Sequence, residues 1–274
     1  MPIESSSGLG HTIGTLAAPY FPQLLDAAHL WGIHVQADSQ ARLHQALGHL
    51  NEPTDPHLVV YFNHVTFEDP ALALSVYRRY LYPHQNTYRQ PFIPASKWNT
   101  DPSKNPQFAK VAGLAHDFLD CEIFPLIQPY MMGNEAKYGY RQQDLSHNFR
   151  EFVQRLNKMA SGDDPRAIFL APEGTRSHDG SMGPAEPGIQ SIVKKLHDKR
   201  PVCVLGMSIS GDHLHRGINP AKPIDLRLTA PWMINPGDPV PDADYMMSRI
   251  ADVHPSEKRG PYDMSIVGSI YQAK

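Results

Sequence analysis

Short apolar runs alternate along this chain with longer stretches of helical period. Leu58 to Phe62 is the first clear run. It is β-branched and aromatic without polar interruption, and predicts a buried strand. Ile123 to Ile127, Ile168 to Ala171 and Val202 to Ile209 read the same way, and Ile224 to Leu228 more weakly. Between them the apolar positions fall three and four residues apart. Phe149, Phe152, Val153 and Leu156 mark a helix over Ser146 to Met159, and further helices are predicted over Gly188 to Lys199 and Asp242 to Val253. Asp69-Pro70 opens another toward Tyr80, Asp suiting the cap and Pro the first turn.

Residues 1–19 are Gly- and Ser-rich without a period. A helical pattern then runs from Pro22 to Leu50, with Leu24, Ala28, Trp31 and Val35 on one face and Leu43, Leu47 and Leu50 beyond. That face either packs on the rest of the chain or lies on lipid, the second being weakened by the lack of a Lys/Arg-rich polar side. Residues 81–106 read as irregular, rich in Pro, Asn and Tyr, and 107–120 as a short helix. Alternating strands and helices give an α/β class: a three-layer sandwich with a mixed, mostly parallel central sheet. The boundaries expected are 1–50 for tail and amphipathic helix and 51–274 for a single larger domain.

Composition narrows the function classes. The 274 residues are 41% hydrophobic, and the net charge of −3 comes without a basic block, which argues against nucleic-acid partners. Cys121 and Cys203 are far apart and sit in apolar runs, so buried free thiols are expected. His213 and His215 form the one close histidine pair, which reads as a loop more readily than as a metal site. No apolar run is long enough to span a bilayer, and no basic segment followed by an apolar one marks a signal peptide. The expectation is a cytoplasmic chain, soluble or peripheral to a membrane.

Two motifs follow directly on strand ends, where open α/β sheets place their ligands. The first is Asn63-His64-Val65-Thr66-Phe67-Glu68-Asp69. A neutral imidazole takes a proton from a hydroxyl near neutral pH, provided that a partner fixes its tautomer, and Asp69 is placed to do so. Spacing alone is weak, since 15 His among this many Asp give about one His-x4-Asp pair by chance. The second is Pro172-Glu173-Gly174-Thr175-Arg176-Ser177. Its Glu-Gly-Thr-Arg core is expected by chance roughly once in a thousand such chains. Gly174 permits an unusual φ and a close ligand, Arg176 offers a planar fork for phosphate, and Glu173 accepts from a ligand hydroxyl or holds Arg176.

Together the motifs resemble those of the glycerolipid acyltransferase superfamily, the glycerol-3-phosphate and 1-acylglycerol-3-phosphate acyltransferases. That family pairs Asn-His-x4-Asp with Phe-Pro-Glu-Gly-Thr-Arg-Ser about a hundred residues later, and here Ala171 stands in place of the Phe. The resemblance covers about Leu58 to Ile209. It implies an O-acyltransferase of phospholipid biosynthesis in which His64 and Asp69 are catalytic, and Asn63, Glu173, Gly174, Thr175 and Arg176 bind the acceptor. It implies a lipid or glycerol phosphate acceptor, acyl-CoA or acyl-carrier protein as thioester co-substrate, no other cofactor and no metal. Family frequency points to 1-acylglycerol-3-phosphate as acceptor. Thr66 and Asp69-Pro70 lean toward glycerol-3-phosphate. A thioesterase or a non-catalytic acyl-binding relative is a further alternative. Gln128 stands where the family has an Arg, with Lys97 and Arg141 as candidates to supply the missing charge. The run Pro201 to Leu205 is read either as acyl-channel lining or as core strand.

Overall fold

A computed structural model of the chain describes residues 33–65, 69–106, 109, 113, 121–177, 179–211 and 224–263. Most of the expected 107–120 helix, the Pro22 to Gly32 stretch, Thr66, Glu68 and the pair His213 and His215 lie outside the described residues.

The central layer is an eight-stranded sheet. Its strands are β1 (Ile33–Val35), β2 (His57–Phe62), β3 (Gln90–Ser96), β4 (Glu122–Leu126), β5 (Arg166–Leu170), β6 (Val202–Ser210), β7 (Ile224–Leu228) and β8 (Trp232–Ile234). They lie in the order β1-β7-β6-β2-β5-β3-β4, with β8 against β6. Pairing is parallel throughout except at β6/β7 and β6/β8. The helices that matter here are α1 (Ala37–Leu50), α2 (Asp69–Val76), the short α3 (Lys97–Thr100) and α4 (Glu135–Tyr138), α5 (Gln142–Ser161), α6 (Gly188–Leu196) and α7 (Ala243–Val253).

A strand buried on both faces sends alternate side chains to opposite sides. On β2, Leu58, Val60 and Phe62 join Leu43, Leu50 and Leu72 from α1 and α2 in one core. Val59 and Tyr61 join Phe152, Leu156, Ile192 and Ile250 from α5, α6 and α7 in the other. Two cores on either side of one sheet make the three-layer α/β architecture that the alternating periods predict. Cys121 and Cys203 are buried free thiols.

Two segments differ from expectation. Among the described residues of the helix expected from Pro22 to Leu50, Ile33 to Val35 form β1, with Val35 paired to Leu226, and a helix begins at Ala37. Pairing with the open side of β7 satisfies the backbone of this β-branched segment, which outweighs a weak helical period. The helix that remains buries Leu43, Ala46 and Leu50 against the sheet. The stretch read as irregular contains β3. Pro91 and Pro94 hide it, since proline ordinarily argues against an interior strand. β3 pairs with β5 only through Phe92, and with β4 from Phe92 onward, so its two halves face different neighbours.

Candidate active site

β2, β5, β3 and β4 run parallel side by side, so their carboxyl ends share one edge of the sheet. The register sets Tyr61 opposite Leu170. Two residues further on, the first motif therefore stands beside the second, although 109 residues separate His64 from Glu173.

Asp69 is fully buried at the start of α2, and its Oδ2 lies 3.0 Å from His64 Nδ1. The same oxygen accepts the Val65 N–H at 2.6 Å. An ionised carboxylate has no proton to give, so the contact places the imidazole proton on Nδ1 and leaves Nε2 as the basic atom. The His64 side chain is 19% exposed, which keeps it reachable from outside while most of the ring is shielded.

The second loop is bound to the first through backbone. Ser177 N–H donates to the His64 carbonyl at 2.7 Å, and Glu173 Oε1 accepts the His64 N–H at 3.1 Å. The other carboxylate oxygen of Glu173 accepts the Gly183 N–H at 3.0 Å. Glu173 is buried and holds two loops together, so neither expected use, accepting from a ligand or fixing Arg176, is what its contacts serve. Gly183 is in turn fixed from the C-terminal segment, where Met182 N–H donates to the Lys258 carbonyl and Ala185 N–H to the Tyr262 hydroxyl, both at 2.8 Å. Nothing in the sequence pattern marks these partners.

Asn63, read from the sequence either as a substrate ligand or as a brace of its loop, is a brace. Its amide donates to the Ile209 carbonyl at 2.9 Å and accepts the Ile209 N–H at 2.7 Å, and the residue is fully buried. Gly174 has φ +66°, the left-handed conformation a glycine favours. A Cβ there would sit 3.3 Å from Glu186 Cγ, so the glycine serves the turn and the space beside it belongs to Glu186. Gln128, in the place of the expected Arg, reaches from the end of β4 and donates to the Gly174 carbonyl at 2.5 Å. It supplies a neutral tether where a charge was expected.

Thr175 and Arg176 are exposed, and among the described residues neither makes a hydrogen bond or ion pair. Lys97 is half-buried at the end of β3, on the same edge, with Nζ 5.7 Å from the centre of the Tyr140 ring. Arg141 pairs with Glu135 at 3.2 Å and its side chain is 70% exposed, so its charge is already engaged. Val202 to Leu205 form a fully buried part of β6 between β2 and β8, a core strand.

Burial raises the Glu173 carboxyl to about 7; the Gly183 and His64 N–H groups oppose the shift and the Asp69 charge adds to it. Burial lowers His57 to about 3, with nearby Arg residues working in the same direction, and His254 to about 4, where the Glu257 charge opposes the shift and Arg227 and Arg259 add to it. In the unfolded chain these groups titrate near ~4.3 for Glu and ~6.5 for His. The raised carboxyl favours the fold at low pH, an advantage lost as pH rises through about 7. The lowered imidazoles favour it above ~6.5 and lose that contribution as pH falls. Between pH ~6.5 and ~4.5 two groups oppose one, so unfolding takes up about one net proton. Stability should fall by roughly 1.4 kcal/mol per pH unit on acidification. Denaturant midpoints at the two ends of that window check this, and a higher midpoint at the acid end would contradict it.

The fold and site define an α/β sheet protein with a His–Asp dyad at the carboxyl edge and an unpaired guanidinium nearby. No model of a known protein family matches the chain, and no curated protein matches it. Among solved structures, the crystal structure of the 1-acyl-sn-glycerophosphate (LPA) acyltransferase PlsC from Thermotoga maritima aligns at 14% identity and a TM-score of 0.45. The alignment covers 86% of this chain and 76% of that one. A likeness of that size carries no argument about chemistry, which rests on the distances above.

Proposed function

We propose that the protein is an O-acyltransferase that moves a fatty acyl group from a thioester donor to a hydroxyl of a glycerol phosphate acceptor. The observation that carries this reading is the 3.0 Å contact from Asp69 to His64 Nδ1, which leaves Nε2 basic beside a loop bearing an unpaired Arg176. Nε2 takes the acceptor's hydroxyl proton as its oxygen attacks the thioester carbonyl. The C–S bond then breaks, and the imidazolium returns the proton to the departing thiolate. Asp69 steadies the imidazolium between the two steps. Thioester activation comes with the donor, so the scheme requires no further cofactor.

Arg176 binds the acceptor phosphate through its planar fork, and Thr175 and Lys97 add a hydroxyl and a second positive charge. Asn63, Glu173, Gly174 and Gln128 hold these groups in place. By family frequency, 1-acylglycerol-3-phosphate is the acceptor of choice and glycerol-3-phosphate the alternative. A panel of both acceptors, with acyl-CoA and acyl-carrier-protein donors and product read by mass, tests the assignment. Thioester cleavage independent of any acceptor would make the protein a thioesterase. Arg176→Ala is expected to raise the acceptor KM at least about tenfold, the worth of one charge-assisted bond, and to leave donor KM unchanged. Equal effects on both would remove Arg176 from the phosphate.

A further inference from the structure

The carboxyl edge of the sheet continues past this site onto a basic, aromatic surface that acceptor binding leaves largely unused. It forms where β3 and β4 end. Trp98 meets Tyr138 edge-on with 5.2 Å between ring centres, and Tyr130 meets Tyr138 the same way at 6.0 Å. Ile127, Met131 and Tyr140 are buried beneath them. Tyr130 links the cluster to the active site: it is 48% exposed and in the field of Arg176.

Three lysines stand over these rings, of which Lys97 is shared with the acceptor site. Lys137 Nζ is 4.9 Å from the Tyr138 centre, Lys97 Nζ 5.7 Å from that of Tyr140 and Lys104 Nζ 5.9 Å from that of Trp98. None of the three forms an ion pair among the described residues. Of the neighbouring acids, Asp101 lies in the field of Lys104 and Lys97. Glu135 pairs with Arg141, Asp144 accepts the Arg141 N–H, and Asp101 accepts from Ser103. Lys97, Lys104, Lys137 and Arg141 against Asp101, Glu135 and Asp144 still leave this surface one net positive charge in a chain whose net charge is −3. A cation over a partly exposed ring is weakly held, so each ammonium can turn toward a phosphate without losing much.

We propose that this surface, on the acyl-transfer reading above, docks the donor by binding the phosphorylated adenine nucleotide of a coenzyme A thioester. Tyr130, braced by the Tyr138 ring, is the part of this floor open to a planar base, and ammonium groups around it match scattered phosphate charge. A lipid surface would call for protruding apolar side chains, and of these rings only Tyr130 is well exposed. The acidic face of a carrier protein would use the charges and have no use for the ring floor.

Isothermal titration of the full chain with adenosine 3′,5′-bisphosphate tests the proposal. Saturable binding is expected, weakened roughly tenfold in the Lys104→Ala/Lys137→Ala double variant, weakened further by salt, and unchanged in His64→Ala. In turnover with acyl-CoA, the double variant should raise donor KM by a similar factor and leave acceptor KM alone. Absence of saturable binding, or binding indifferent to the two lysines, overturns the proposal. So does a double variant whose loss is confined to anionic phospholipid vesicles or to an acyl-carrier-protein donor. If the nucleotide binds as expected while His64→Ala keeps full turnover, the docking surface stands and the acyl-transfer mechanism falls.

Discussion

His64→Ala is expected to lower kcat for acyl transfer by about 10²–10⁴ while leaving the fold and both KM values nearly unchanged. The magnitude follows from what is removed. Nε2 is the basic atom at this edge, made so by the proton that Asp69 holds on Nδ1 at 3.0 Å. Without the imidazole the acceptor hydroxyl must attack with water as the base, and the thiolate must leave unprotonated. The His64 backbone links, to Glu173 and to Ser177, do not involve the ring and survive the substitution. Stability should therefore change little, and kcat should carry almost the whole effect. Steady-state rates with the preferred donor and acceptor, paired with a thermal melt, make the check. An active His64→Ala protein would show that the base lies elsewhere.

Glu173→Gln is expected to destabilise the fold by about 1–3 kcal/mol and to lower kcat by about 10². Each carboxylate oxygen accepts one buried N–H, from His64 at 3.1 Å and from Gly183 at 3.0 Å. The carboxyl keeps a lone pair on both oxygens even when protonated, whereas an amide nitrogen has none. Glutamine therefore satisfies one N–H and sets a donor against the other, prising apart the loops that carry His64 and Arg176. A shift of about an ångström at the base is enough to cost two orders of magnitude in rate. If Glu173 instead bound the acceptor, the same substitution would raise acceptor KM and leave the melting temperature in place. The two roles thus separate in one set of measurements.

The strands and helices most legible in the sequence are those whose fate depends on their own side chains. Continuous β-branched runs such as Leu58 to Phe62 and Val202 to Ile209 have only a two-sided burial to go to, and they are central strands. The helical period at Phe152 and Leu156 likewise leads straight into the core. β3 escaped because its prolines oppose strand formation locally, and only its split pairing, half to β5 and half to β4, accommodates them. β1 escaped because a three-residue strand exists only by virtue of the open side of β7.

The site divides along the same line. His64, Asp69, Gly174 and Arg176 could be picked out in the chain, since imidazole, carboxylate, glycine and guanidinium each announce their chemistry by residue type. Which polar side chains turn inward to hold the loops was decided by the tertiary structure. Asn63 and Glu173 are motif residues turned inward, because backbone N–H and C=O groups at a buried strand end must find partners and these two supply them. Gln128, an oddity in the sequence, is the tether of the Gly174 turn. Periodicity and residue type are local, and they determined the α/β class and the two motifs. The meeting of His64 with Glu173 across 109 residues needed parallel pairing of β2 and β5, a long-range contact whose register no local pattern encodes.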